Sequence, residues 1–219
     1  MPKDINELRL KKVPGSFYSV NQDKIFPIEN EYGIPTMAKV SVNDIDLSLP
    51  FLEYRSKEKE GICHFFLDDH RFESVWNHPV KALKAVLAYK GAVSPDFSSY
   101  VDWPLAINIW NTYRNRWCGK LWQEYGQIVI PTVGWACEKS YKFSFLGIPK
   151  GSIVAIGFFR RMGVEPGDFF LKGYEELIKR IDPEKVLVYA SNFLEELKDD
   201  RVIVKKTFWQ RRSKKEKDK

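Results

Sequence analysis

The chain has 219 residues, of which 44% are apolar and 15% aromatic, enough to build one domain with a full hydrophobic core. This composition excludes a chain that is disordered throughout. No apolar run approaches the ~18 residues that a membrane-spanning helix needs, and the amino terminus lacks the apolar stretch of a secretory signal. We therefore expect a cytoplasmic protein with no membrane partner.

The net charge of +6 is concentrated at the carboxyl terminus. Residues 205–219 hold eight basic side chains against two acidic ones, so the first 204 residues are formally neutral. The body of the chain therefore lacks the basic surface typical of nucleic-acid-binding domains. We predict a disordered basic tail that either binds nucleic acid weakly and without sequence preference or serves only solubility. Its basic residues include Lys205, Lys206, Arg211, Arg212, Lys214 and Lys215.

The spacing of cysteine and histidine indicates neither a disulfide framework nor a zinc site. Cys63, Cys118 and Cys137 are odd in number and far apart, so we expect reduced and mostly buried thiols. The histidines at 64, 70 and 78 match no metal-ligand spacing.

Apolar runs alternate with helical patterns from residue 61 onward. Six runs bounded by turn residues predict strands, several of them buried on both faces, at residues 62–67, 91–94, 127–132, 152–158, 185–189 and 202–204. Helices are predicted between them, around residues 72–76, 79–87, 102–126, 168–178 and 193–198. This alternation predicts a parallel sheet with right-handed crossovers.

The fold class that we expect is α/β, with a mainly parallel sheet of five or six βα units. Such a sheet is either an incomplete (βα)-barrel or an open doubly wound sheet. The lack of a glycine-rich phosphate loop after the first predicted strand favours the barrel-like form. Residues 1–60 show no sustained period and are expected to form an arm packed on the core, followed by the α/β domain at 61–204 and the tail at 205–219.

The longest predicted helix has Asp102 as its cap, Pro104 in its first turn and Gly126 at its end. A stripe at three- and four-residue steps is expected to be buried, and it comprises Ile107, Trp110, Arg114, Trp117 and Leu121. The opposite face is expected to be exposed and holds Asn108, Asn111, Asn115 and Gln123, with Arg116 also facing solvent. Arg114 on the buried stripe requires a partner, for which we expect Asp96, Asp102 or a bound phosphate.

The chain contains, in this order, the motifs HFFLDDHRF at 64–72, SPDFS at 94–98, NTYRNR at 111–116, VIPTV at 129–133 and GIPKGS at 147–152. These motifs resemble those of an uncharacterised family of phage- and plasmid-borne proteins, domain of unknown function 4417. The resemblance covers residues 30–190 and implies a mobile-element protein in the host cytoplasm with no established activity. One departure lies at residues 157–161, where glycine, two phenylalanines and two arginines replace the small hydroxyl residues and glycine of the family.

Polar and charged residues follow each predicted strand. Because the carboxyl ends of parallel strands meet at one edge of a sheet, we expect these side chains to surround a concave polar site. The candidate catalytic residues are Asp68, Asp69 and Asp96. The candidate ligand-binding residues are His70, Arg71, Ser94, Ser98, Arg114, Thr132, Trp135, Arg160, Arg161 and Asn192.

The carboxylates permit several chemistries. Asp68 and Asp69 can hold a divalent metal or act as a general base, because paired carboxylates supply hard oxygen ligands. The alternative is that one caps the following helix and the other is solvated. Asp96 can orient a substrate hydroxyl or amine, or it can form an Asx-turn.

Three functions remain open from the sequence. The first is a phage or mobile-element protein that binds or processes a phosphorylated or nucleotide-like ligand at the strand ends, with Arg160 and Arg161 attracting the anion. The second is a nucleic-acid-associated accessory factor that acts through the basic tail. The third is a protein-binding inhibitor of a host defence system, which requires an exposed apolar patch. The sequence does not decide whether the protein is an enzyme.

Overall fold

The computed structural model describes residues 2–8, 21, 24–158, 168–190, 197 and 199–207. In this part of the chain the strands are β1 (Phe51–Glu53), β2 (Ile62–His64), β3 (Gly91–Val93), β4 (Val129–Ile130), β5 (Val154–Phe158), β6 (Val186–Ala190) and β7 (Val202–Lys206). The helices are α1 (Ser74–Asn77), α2 (Pro79–Val86), α3 (Leu105–Glu124) and α4 (Asp168–Ile181). Short 3-10 turns occur at Ile5–Glu7, Asp69–Arg71 and Glu138–Lys142.

Every strand pairing is parallel, and the strands are ordered in space as they are in sequence. One sheet has the order β1-β2-β3-β4 and the other has the order β5-β6-β7. An isolated parallel bridge between Thr132 and Ala155 joins them, through hydrogen bonds of 2.9 Å on either side of the bridge. The parallel α/β fold predicted from the alternation of strands and helices is thus confirmed. Among the described residues, no ladder of hydrogen bonds closes a barrel.

Side chains bring the last strand against the segment that leads into the first. The Lys205 ammonium donates to the carbonyls of Leu47 and Leu49 and lies 5.6 Å from the centre of the Phe51 ring. Burial lowers the pKa of this lysine from its usual value. Lys205, expected in the basic tail, is therefore a buried residue of β7, whereas its neighbour Lys206 ends the same strand and is exposed.

Two clusters of buried apolar side chains form the core. The larger cluster packs the first sheet against α1, α2 and the second half of α3, and it contains Phe65, Trp117 and Trp122. The smaller cluster packs α4 against the second sheet. Each large apolar side chain buried in this way stabilises the fold by roughly 1.5–3 kcal/mol. Cys63 and Cys118 are buried, and none of the three cysteines forms a disulfide, as predicted.

Most element boundaries differ from the predictions by a few residues. The predicted strands at 62–67 and 127–132 are the most shortened, because only Ile62–His64 and Val129–Ile130 pair in the sheet. Two further differences concern the start of the sheet and the start of the longest helix. The sheet begins at Phe51, within the segment expected to be an arm, because a strand of three residues is too short to show a hydrophobic period. Helix α3 begins at Leu105 with Pro104 as its cap, so Asp102 is not the cap. Its end before Gly126 agrees with the prediction, since Gly126 has φ +90, a conformation that glycine adopts readily. The helix predicted at 193–198 lies almost entirely outside the described residues.

The buried face of α3 is not the one that the apolar spacing predicted. Ile107 and Trp110 are 43% and 42% exposed, whereas three asparagines of the helix are buried at 1–6% exposure: Asn108, Asn111 and Asn115. Arg116 is 1% exposed and Gln123 is half-buried, so neither faces solvent as expected. The reason is that the first half of α3 packs against the polar backbone of residues 94–100, and only its second half meets the apolar core. Within the described part of the chain, no helix combines the length and apolar character that crossing a bilayer requires.

Candidate functional site

A cleft of about 890 Å³ lies at the carboxyl ends of the strands. Each of the seven strands, or the residues directly after it, contributes to the lining: in strand order Glu53, Asp68, Asp96, Gly134, Phe158, Tyr189 and Thr207. This is the edge of a parallel sheet at which ligands commonly bind, because the loops that follow the strands all open there. It is also the edge at which the sequence analysis expects a polar site.

Aromatic rings form much of the wall of this cleft. Phe66 and Tyr189 stack with ring centres 5.2 Å apart and planes 12° apart. On another part of the lining, Phe170 of α4 lies 4.6 Å from Phe158 and 5.3 Å from Trp135. Apart from Trp135, the sequence analysis did not place these aromatic residues at the site. Their only sequence signal is that Phe66, Phe158 and Tyr189 stand at or near the last positions of apolar runs.

The charged groups of the cleft are mostly acidic. Arg71 lines the cleft, but its guanidinium is paired with Glu53 at 2.8 Å. Asp68 is exposed at the cleft and its side chain caps no helix. Glu53 was missed from the sequence, because β1 itself was not predicted.

Asp69 does not line the cleft beside Asp68. Its carboxylate accepts hydrogen bonds from the backbone N–H of Ser98, at 3.1 Å, and from the Ser98 hydroxyl, at 2.8 Å. His70 is exposed and lies outside the cleft lining. In the described part of the chain, no group of three or more His, Cys, Asp or Glu side chains is placed to hold a metal ion.

Asp96 lines the cleft as a half-buried carboxyl group to which no described residue donates a hydrogen bond. Burial, assisted by the negative charge of Asp69 and opposed by Arg116, raises the pKa of Asp96 from 3.8 to about 7. Both protonation states are therefore populated near neutral pH, as general acid–base chemistry requires. The alternative role in an Asx-turn is not formed.

Ser94 and Thr132 lie beneath the cleft, where they join the ends of β3 and β4. The Thr132 N–H donates to Ser94 Oγ at 2.7 Å, and Thr132 Oγ1 donates to the Ser94 carbonyl at 2.6 Å. Both residues are fully buried and neither contributes to the lining. Of the predicted ligand-binding residues, Arg71, Ser98 and Trp135 do line the cleft.

The predicted pairing of Arg114 with Asp96 or Asp102 is wrong. Its guanidinium pairs with Glu73 at 2.5 Å and lies 3.9 Å from the centre of the Phe97 ring. Glu73 was missed because it precedes α1 and shows no spacing relation to α3. The hypothesis that Asp96 and Arg114 form a structural pair is therefore also wrong.

Arg116, and not Arg114, interacts electrostatically with Asp96, and its side chain is buried. It donates to the carbonyls of Thr132, Ser144 and Leu146 at 2.7–3.0 Å. Burial lowers the pKa of Arg116 to about 9, while Asp96 raises it. Its charge is thus held by backbone carbonyls beneath the cleft. The remaining candidates lie outside the described residues: Arg160, Arg161, Asn192, Arg211, Arg212, Lys214 and Lys215.

The chain-ordered parallel strands and the strand-end cleft define an α/β protein with a built, mainly acidic and aromatic site. Residues 26–207 match the family described as Domain of unknown function (DUF4417), and the chain belongs to that family, as its motifs indicated. It is 36% identical over 209 residues to the Gene 1 proteins of Mycobacterium phages D29 and L5. These alignments cover 92% of this chain, 76% of the D29 protein and 90% of the L5 protein. No solved structure matches the chain significantly.

Proposed function

We propose that this phage-family protein binds a flat, nitrogen-rich heterocycle, such as the base of a nucleoside or nucleotide, and exchanges a proton with it through Asp96. The observation that carries the proposal is the half-buried Asp96 carboxyl group, which lacks a hydrogen-bond donor among the described residues and faces an aromatic cleft. In this proposal Asp96 acts as a general acid or base, because it gives a proton to the ligand or takes one from it.

The walls of the cleft suit a planar ring. Stacking of one base on an aromatic side chain stabilises a complex by ~1–3 kcal/mol, and it depends little on which base is stacked. Trp135 and Tyr189 line different parts of the cleft but are only 9% and 4% exposed, so the accessible faces come from Tyr100 and Phe169, which are 44% and 41% exposed. The specific contact then falls to Asp96, because an ionised carboxylate accepts from N–H groups and a protonated one donates to a ring nitrogen.

The charges of the described lining favour N–H donors over an anion. Glu53, Asp68 and Asp96 are acidic, and Arg71 is already paired. A phosphate on the ligand would require further cations, for which Arg160 and Arg161 after β5 remain the candidates of the sequence analysis. We therefore separate recognition of the base, by the described residues, from recognition of the phosphate.

We also propose that the two sheets are parts of one curled, incomplete barrel rather than of an open doubly wound sheet. The strand order shows no reversal, which a doubly wound sheet has at its switch point. The Thr132–Ala155 bridge joins the sheets on one side, and the contacts of Lys205 join β7 to the segment before β1 on the other. The carboxyl ends of all seven described strands line a single cleft, and an incomplete barrel gives this arrangement.

Thermal unfolding in the presence of free bases, nucleosides and nucleotides tests the ligand proposal. A ligand at 100 times its dissociation constant stabilises the fold by about 2.7 kcal/mol, which raises the melting temperature measurably. We expect a response to bases or nucleosides without phosphate, and loss of this response in Asp96→Asn. The matched control is Asp102→Asn, which changes an exposed carboxylate outside the lining and should leave the response intact. A response that requires phosphate, or one that survives Asp96→Asn, would contradict the proposal.

A further inference from the structure

Three asparagines of α3 form a ladder along one buried face of the helix. Asn108, Asn111 and Asn115 are separated by three and four residues, the spacing that aligns side chains on a helix. All three are at most 6% exposed. A buried amide destabilises a protein unless its hydrogen bonds are satisfied, so this face must meet a polar surface.

That polar surface is the backbone of residues 94–100, which carries Asp96 into the cleft. Asn108 binds Tyr100 twice, accepting from its N–H at 3.2 Å and donating to its carbonyl at 2.9 Å. Asn111 donates to the Ser98 carbonyl at 2.6 Å. Asn115 accepts from the Ser94 hydroxyl at 2.7 Å. One ladder residue therefore holds each of three points along the segment.

Of the points that follow Asp96 in the chain, Ser98 is the most restrained. Asn111 holds its carbonyl, while Asp69 accepts from both its N–H and its hydroxyl. Asn111 is itself fixed, because its side-chain oxygen accepts from Arg114 at 2.7 Å and Arg114 is paired with Glu73. A continuous chain of polar contacts thus runs from α1's cap residue through α3 to a position two residues from Asp96.

We infer that Asn108 and Asn111 are positioning residues that fix the 95–100 segment, so that the Asp96 carboxyl group is held against the cleft wall and partly shielded from water. Backbone N–H and C=O groups beyond the end of a strand have no partner in a neighbouring strand, and the asparagine side chains supply hydrogen bonds in its place. Because the segment is anchored at Ser94 and Ser98, on either side of Asp96, the Asp96 side chain has few orientations to lose on binding. The inference concerns the same cleft as the proposed function, but its test needs no ligand.

The test measures the pKa of Asp96 by carboxyl NMR titration, with the Asp96→Asn spectrum assigning the signal. In the folded wild type the groups that set this pKa are the burial of Asp96 itself, Asp69 and Arg116. In Asn111→Ala the freed segment should admit water to Asp96, so its pKa should fall from about 7 by about one unit or more toward its usual value.

The matched control is Gln127→Ala. Gln127 is also a buried amide, and it donates to the carbonyls of Val86 and Tyr89 at the amino ends of the strands, away from the cleft. This variant should lower the melting temperature as Asn111→Ala does, yet leave the Asp96 pKa at the wild-type value. If Asn111→Ala does not fold, Asn108→Ser is measured in its place, and a fall in the pKa is again expected.

An unchanged Asp96 pKa in the ladder variant that folds would overturn the inference, as would an equal fall in Gln127→Ala. Failure of the wild-type protein to respond to any base or nucleoside would instead refute the proposed function alone. The two results are independent, because the titration reports on the carboxyl group in the unliganded protein.

Discussion

Replacing Asp96 by asparagine tests whether the ionised Asp96 carboxylate destabilises the folded protein. The raised pKa means that the folded state binds the proton more tightly than the unfolded chain does. The stabilising contribution of this proton is therefore complete below the usual pKa of about 4 and is lost as the pH rises through about 7. At alkaline pH the folded protein must hold an ionised carboxylate in a desolvated place.

The size of the effect follows from the shift. A rise from 3.8 to about 7 corresponds to roughly three pKa units, and at ~1.4 kcal/mol for each unit this gives an upper limit of about 4 kcal/mol. Because the side chain is half-buried, solvent screening reduces this figure, and we expect roughly 1–4 kcal/mol. Asparagine has nearly the same shape but no charge, so Asp96→Asn should not be destabilised by a partly buried ionised group.

Urea unfolding of wild type and Asp96→Asn over a pH series measures the difference. We expect the variant to be more stable than wild type at about pH 8, with the gap narrowing as the pH is lowered toward about 5. Asp102→Asn, an exposed carboxylate on the same connection, should track wild type at every pH. If Asp96→Asn is less stable than wild type at about pH 8, the carboxylate is stabilised by the fold, and its assignment as an acid–base group fails.

Gly173→Ala on α4 should lower both the melting temperature and the base response, because a Cβ there would overlap the Trp135 indole. The overlap costs more than the ~1 kcal/mol by which alanine favours a helix over glycine. A raised melting temperature would refute this prediction. Arg116→Met should lower the free energy of unfolding in urea by several kcal/mol, since it leaves the Ser144 and Leu146 carbonyls without their donor and the Thr132 carbonyl with only the 3.4 Å hydrogen bond from Asn115. A Met variant as stable as wild type would show that water replaces the guanidinium. Truncation after Thr207 should abolish salt-dependent binding to nonspecific DNA and leave the base response intact; unchanged affinity and salt slope would remove the tail as a nucleic-acid contact.

The sequence predicts six of the seven described strands and the edge of the sheet at which the cleft lies, because both follow from local patterns. The apolar runs predicted as strands at 62–67 and 152–158 contain β2 (Ile62–His64) and β5 (Val154–Phe158), since a strand covered on both faces has no polar side. Once the strands are parallel, Asp68, Asp96 and Trp135 must emerge at one edge, where the cleft lies.

The sequence does not predict the environment of α3, because apolar periodicity assumes that a buried face is apolar. Asn108 and Asn111 violate this assumption, since their partners are backbone groups of a loop and carry no side-chain signal. The partner of Arg114 could not be found either, because Glu73 comes from a different helix cap 41 positions away. These contacts depend on how the helices dock, which is a property of the tertiary structure.

The contact of Lys205 with the carbonyls before β1 has a consequence for how the protein opens. Within each sheet, neighbouring strands are joined by backbone hydrogen bonds, and the Thr132–Ala155 bridge joins the two sheets. To separate two strands of one sheet, all the backbone hydrogen bonds between them must break together. Between β7 and the segment before β1, the described hydrogen bonds come from the Lys205 side chain and not from a backbone ladder, so in the barrel arrangement proposed above β7 can separate from that segment while both sheets stay intact. Amide hydrogens of Val202–Lys206 should then exchange with solvent at a lower opening free energy than those of β2 and β3, and local unfolding should start on this side of the cleft.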